Sequence, residues 1–225
     1  MLAHVLEAAG IATVVLASMR PVAERMSVPR VLYCEFPLGR PLGIPDDVEF
    51  QRGVLNAAFD LLNARSGPVL VDYPKVVEAD ESPLACALPP RFDPEIAPSV
   101  DEAQGLRAAY ERAVARRGTT EVGRSIDADG VPGALADFER LIAGEHWKEV
   151  YGPRLDTLAV SHDLRAYYQE AALELAEGPS PGARQVEAWF FEETEAGKTL
   201  ASARDALKEQ GAPEGITFYM QPVGR

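Results

Sequence analysis

The chain has 225 residues, 47% of them hydrophobic and 25% charged, a balance that fits a globular protein able to bury a sizeable core. Thirty-five acids against 22 bases leave a net charge of −13, which argues against electrostatic binding to nucleic acid or to an anionic membrane surface. No run approaches the ~20 apolar residues that span a bilayer, and the N-terminus lacks the basic flank and long apolar centre of a signal peptide, so a cytoplasmic location is expected.

Residues 2–9 have helical spacing, with Leu2, Val5, Leu6 and Ala9 on one face and Gly10 where a C-capping glycine belongs. Ile11 to Ala17 is a short β-branched apolar run, the pattern of a strand covered on both faces. A helix is expected from Ser18 to Met26, with Pro21 tolerated in its first turn, and a second buried strand from Val31 to Phe36. A rigid loop follows, punctuated by Pro37, Gly39, Pro41, Gly43 and Pro45, and Asp46 and Asp47 then favour a helix start. That helix carries Phe50, Val54, Ala58, Leu61 and Leu62 on a core-facing stripe to about Ala64. Val69 to Tyr73 reads as a third strand. This alternation is the rhythm of an α/β protein with an open, mostly parallel sheet in three layers. Ligands of such sheets bind beyond the carboxyl ends of the strands, where the Pro/Gly loop sits.

Prolines at 74, 83, 89, 90, 94 and 98 mark residues 74–100 as an irregular connection between residues 1–73 and a second portion, 101–225. The second portion is largely helical in pattern, with helices over Asp101–Arg117, Pro132–Ala143, Ser161–Ala176 (Ser161 as its cap) and Thr194–Gln210. Strands are expected at Gln185–Phe191 and Ile216–Met220.

Several familiar patterns fail on inspection. Gly197-Lys198-Thr199 ends like a phosphate-binding loop, but Glu192 stands where that loop needs its first glycine, and Glu193 and Glu195 would repel phosphate; a solvated helix start is expected instead. Ser161-His162-Asp163 holds the letters of a hydrolase triad, yet adjacent residues cannot converge as one, and His162 reads as a surface residue. His4, His146 and His162 lack zinc-ligand spacing, and no Gly-x-Gly-x-x-Gly is present, so no metal or cofactor is expected. Carboxylates such as Glu145, Glu149 and Asp156 are numerous, but no spacing selects a pair for acid–base work.

The runs Val5-Leu-Glu-Ala-Ala-Gly-Ile-Ala-Thr-Val-Val15, Pro29-Arg30-Val31 and Phe36-Pro-Leu-Gly-Arg-Pro-Leu-Gly43, followed by Gln51-Arg52 on a helix, together resemble the B-subunit family of glycine, sarcosine, betaine and D-proline reductases. The resemblance covers the first quarter to third of the chain. It implies reductive cleavage of a C–N bond in an amino acid or related amine. A selenol or thiol acts as nucleophile, and a partner subunit carries a pyruvoyl carbonyl. In that family the redox residue lies in a loop before the helix that Leu2–Ala9 resembles, so the reactive element carries over to no residue here. Two expectations follow: a start upstream of Met1, or a variant that kept the fold and lost the chemistry.

Within the chain the thiol candidates are Cys34, at the end of a strand with Arg40 and a helix start nearby, and Cys86, in the proline-rich connection; both lack a Cys-x-x-Cys partner and are expected as free thiols. The opposing reading of a strand cysteine is a small buried apolar residue. Phe36, Gly39, Arg40 and Gly43 are the substrate-side candidates, the glycines also serving tight turns. The chain is thus read as a component of a thiol- or selenol-dependent reductase with a partner subunit and a small amino-acid or amine substrate. The rival is a non-catalytic binding or assembly subunit on the same fold, and a flavodoxin-like cofactor binder ranks third.

Overall fold

The computed structural model describes residues 2–79, 82–152, 156–177, 180–218 and 220–221. The chain divides into two compact units, Met1–Asp80 and Glu81–Arg225, with the division inside the proline-rich stretch.

The first unit is mixed α/β. Helix α1 (Leu2–Ala8) precedes β1 (Val15–Ala17), α2 (Arg20–Met26), β2 (Arg30–Tyr33), α3 (Val48–Asp60) with a 3-10 turn at Leu61–Asn63, and β3 (Val69–Asp72). The strands lie in the order β1-β2-β3 and both pairings are parallel, with Leu32 of β2 between Leu16 and Val71. Backbone bonds prolong the ladder past the strand ends: Cys34 N–H donates to Ala17 O at 2.8 Å and Tyr73 N–H to Tyr33 O at 2.8 Å.

Alternation along β2 sets two cores. Val31 points to a cluster with Ala3 of α1 and Ala23 of α2, while Leu32 and Cys34 point to one with Phe50, Val54 and Ala58 of α3. The strands are shorter than the apolar runs suggest, because backbone pairing ends before apolar patterning does. The face of α1 expected to pack is turned outward: Leu2 is 72% and Val5 64% exposed, and the small Ala3 makes the buried contact.

Every regular element described in the second unit is a helix: α4 (Pro98–Arg117), α5 (Val131–Ile142), α6 (Trp147–Tyr151), α7 (Thr157–Leu175), α8 (Ala183–Glu192), α9 (Glu195–Glu209) and α10 (Glu214–Thr217). Their inward faces build one core around Leu106, Leu135, Phe138, Tyr167, Tyr168, Trp189 and Leu200. Leu84, Cys86 and Leu88 from the proline-rich stretch pack on that core, and the Trp189 indole N–H donates to Cys86 O at 3.3 Å.

Two expected strands are corrected here. Gln185–Phe191 lies in α8, where Val186, Trp189 and Phe190 recur at helical spacing on a buried face. Of Ile216–Met220, Ile216 and Thr217 belong to α10, and Tyr219 lies outside the described residues. Helix α7 begins earlier than expected, capped by Asp156, whose carboxylate accepts from Ala159 N–H at 3.0 Å; Ser161 is buried inside the helix and caps nothing.

Candidate functional site

Two of the runs that carried the family resemblance, 5–15 and 29–31, meet in one hydrogen-bonded knot. Gly10 takes φ +81 and turns the chain off α1, so that Thr13 returns alongside Glu7. The Glu7 carboxylate accepts from Thr13 N–H (2.6 Å), Thr13 Oγ1 (2.9 Å) and Arg30 Nη1 (2.7 Å), while Arg30 Nη2 donates to Ala64 O at 3.1 Å. The Thr13 N–H above all, then its hydroxyl and Arg30, hold Glu7 below the ordinary carboxylate range against a smaller opposing effect of burial. The Glu-x-x-Gly-Ile-x-Thr element and Arg30 therefore serve as a clasp, tying α1 to the start of β2 and to the segment after α3.

At the opposite, carboxyl ends of the strands the Pro/Gly loop is also built for shape. Arg40 N–H donates to Pro37 O (3.0 Å) and Gly43 N–H to Arg40 O (2.9 Å), with Gly39 at φ +88 and Gly43 at φ +83. Asp47 ends the loop as the cap of α3, accepting from Phe50 N–H at 2.9 Å, and Gln51 donates to Ile44 O at 2.9 Å.

The four substrate-side candidates separate in this geometry. Phe36 is buried, its ring 5.6 Å from Phe50 and 5.8 Å from Tyr73, so it closes the core beneath the loop and does not face a ligand. Gly43 is buried against the same cluster, where a Cβ would stand 2.3 Å from Phe50 Cε1. Gly39 is exposed with open space beside it, and the half-buried Arg40 side chain has no partner among the described residues. Gly39 and Arg40 are the loop positions that can still meet a ligand.

Sequence reasoning missed a second group at these strand ends. Arg20, opening α2 just after β1, pairs with Glu24 at 3.0 Å and with Asp72 at the end of β3, and its guanidinium lies 4.9 Å from the Tyr33 ring centroid at the end of β2. Polar residues immediately after parallel strands were the signal that could have found it.

Both thiols sit in surroundings opposite to those a nucleophile needs. Cys34 is 1% exposed, its Sγ 3.9 Å from Leu32 O, and burial pushes its thiol up to about 11. Cys86, half-buried against the helical core, is likewise pushed up to about 11 by burial. Thiolates form beside cations or helix N-termini, and neither cysteine shows that effect. Cys34 and Cys86 fall in different units and are both free thiols.

The helical unit holds several buried carboxylates with structural partners. Asp163, fully buried, accepts from the backbone N–H groups of Gly123 (3.1 Å), Arg124 (3.0 Å), Ser125 (2.7 Å) and Ile126 (3.0 Å). Burial pushes its pKa up, but the four donors together outweigh that and leave it lowered. His162 Nδ1 is 3.5 Å from Asp163 and half-buried, so Ser161-His162-Asp163 forms no catalytic relay. Glu102 takes Glu195 N–H (3.0 Å) and Ala196 N–H (3.1 Å) at the start of α9 and the Tyr168 hydroxyl at 3.0 Å; burial raises its pKa against these bonds. Gly197-Lys198-Thr199 thus opens a helix, as expected, but Gly197 is buried and Thr199 donates to Glu139 at 2.9 Å. That start is sealed by protein acceptors and is not a solvated end. Among the described residues no group of three or more His, Cys, Asp or Glu is placed to hold a metal ion, and no helix is long and apolar enough to cross a membrane.

Comparison of the chain with protein-family models, curated proteins and solved structures returns no match.

Proposed function

We propose that the chain is a binding or assembly component, not itself nucleophilic, of a cytoplasmic thiol- or selenol-dependent reductase of the glycine/D-proline reductase B type. In this reading residues 2–79 form a three-layer unit, with α1 and α2 on one face of the sheet and α3 on the other, followed by a largely helical portion. The unit holds a small amino-acid or amine substrate at the exposed turn of Gly39 and Arg40. A partner protein subunit carries the pyruvoyl carbonyl, as in the family that the chain resembles, and neither Cys34 nor Cys86 serves as the thiol nucleophile.

The observation that carries this reading over a redox role for the chain itself is the burial of Cys34, which disfavours its thiolate at the carboxyl end of β2 where a nucleophile would be needed. Support also comes from the clasp of Glu7, Thr13 and Arg30, which makes one physical element of two separated stretches of the resemblance. Arg40 adds a planar cation without a partner among the described residues, suited to a carboxylate.

Two measurements test it on the full chain. Raising a thiol from 9.0 to about 11 cuts its thiolate at neutral pH by about a hundredfold, so iodoacetamide should modify both cysteines about a hundredfold more slowly in the folded protein than after denaturation. Fast modification of either cysteine in the folded state overturns the non-nucleophilic role. Calorimetric titration with glycine, sarcosine, betaine and D-proline should find one that binds and that Arg40→Gln weakens. If none of the four binds, the substrate-side role fails.

A further inference from the structure

Helix α7 carries a cation that no hydrogen bond or ion pair holds among the described residues. Arg165 is half-buried, yet it donates no hydrogen bond and makes no ion pair among the described residues; it feels the charge of Glu187 without bonding to it. Burial pulls its guanidinium below the ordinary arginine pKa. A desolvated, unpaired guanidinium costs free energy that an anion at the same place would recover. The other arginine nearby, Arg117, is committed to Glu170 at 3.5 Å, and Glu170 also accepts from Thr120 Oγ1 and Glu121 N–H. Glu170 is thereby engaged elsewhere, and Glu187 acts on Arg165 through its charge without a bond to the guanidinium.

The surroundings of Arg165 are concave on two sides. One cleft, of about 170 Å³, brings Arg117 and His162 to the same space as Arg165. The other, of about 160 Å³, runs between α7 and α8 and is lined by Val186, Phe190 and Phe191, with Glu187 beside them as the one acid of its wall. Arg165 and Gln169 form a wall of both, because residues four apart on a helix share a face. The Phe190 and Phe191 rings meet edge to face at 5.0 Å, which gives the second cleft a fixed aromatic side. A planar cation beside an amide donor, next to an apolar slot with room for one ring, matches an organic acid of defined shape.

We propose that Arg165 and Gln169, together with Phe190 and Phe191, bind a small carboxylate bearing an aryl or branched alkyl group. The carboxylate takes two parallel N–H donors of Arg165 and the Gln169 amide, and the apolar group lies in the slot between α7 and α8. This site belongs to the helical unit and does not rest on the reductase reading.

The test is calorimetric titration of the full chain with phenylacetate, acetate and inorganic phosphate, repeated with Arg165→Gln and Arg165→Lys. Phenylacetate should bind in the range of about 1 mM or tighter. Arg165→Gln should weaken it about tenfold or more, because charge-assisted bonds are lost. Arg165→Lys should fall between, keeping the charge but losing the two-pronged geometry. Acetate should bind at least about tenfold more weakly than phenylacetate, as it leaves the slot empty. Phenylacetate binding that is absent, or equal in the parent and in Arg165→Gln when both keep the parent's circular dichroism, overturns the site. Phosphate or acetate binding as tight as phenylacetate overturns the apolar half of the assignment.

Discussion

Replacing Asp163 with Asn isolates one buried charge and the loop that it organises. The carboxylate accepts four backbone N–H bonds from Gly123 to Ile126, two on each oxygen, and has no exposure to water. Asparagine keeps one acceptor oxygen and turns an NH2 toward the other pair of donors. Two buried N–H groups then lose their acceptor, at about 1–3 kcal/mol each, so the variant should lose about 2–6 kcal/mol. For a unit of this size that is a fall of roughly 5–20 °C in Tm. Both tryptophans, Trp147 and Trp189, lie in the helical unit, so tryptophan fluorescence during urea or thermal unfolding reads this unit alone. Acid adds a second signature. The folded carboxyl titrates below its unfolded value of 3.8, so its stabilisation is complete above that pH and is lost as the pH falls through the folded value. Asp163→Asn should remove this slope. A midpoint within about 0.5 kcal/mol of the parent would refute the claim that the carboxylate holds the 123–126 loop.

Gly197→Ala tests the close approach of α8 and α9. A Cβ there would stand 1.9 Å from Phe190 O and 2.9 Å from Phe191 Cα, both backbone atoms that cannot rotate away. The roughly 1 kcal/mol that alanine gains in helix propensity should be outweighed, for a net loss of about 2–3 kcal/mol by fluorescence-monitored urea unfolding; an unchanged or raised midpoint would contradict the packing. Gly43→Ala should loosen the first unit, since φ +83 strains alanine and its Cβ would press on the Phe50 ring. A loss of about 1–2 kcal/mol should speed alkylation of the buried Cys34 by roughly 5–30-fold, and an unchanged rate would show that the turn does not need glycine.

Local chemistry made much of this protein legible. Thr194 caps α9 and Asp47 caps α3, as their side chains at helix starts suggest, and the apolar stripe of Phe50, Val54 and Ala58 is buried where its spacing put it. The parallel strand pairing also follows from the long, helix-bearing connections between successive strands, which return the chain to the end of the sheet where it began. Failures arose where one pattern served two periods. Val186-Glu-Ala-Trp-Phe-Phe191 is rich in β-formers, but α8 has a bundle surface to cover, and tertiary burial overrode propensity. On α1, large apolar residues suggested the packed face, but Leu2 and Val5 face outward and Ala3 is the residue that the helix buries.

At the candidate sites the division is sharper. Residue order alone marked the Pro/Gly turns, the caps of α3 and α9, and that the Pro/Gly loop leaves the carboxyl end of β2, because those outcomes depend on neighbours a few positions apart; the cap of α7 fell at Asp156 and not at the expected Ser161. Solvent access and long-range charge pairing were decided only on folding. Cys34 and Phe36 became core residues, Glu7 and Arg30 became a clasp across 23 positions, and Arg165 came to line a cleft with no ion pair among the described residues. Burial and pairing are properties of what the whole chain brings within a few ångströms of an atom, and that is set by packing between elements far apart in sequence.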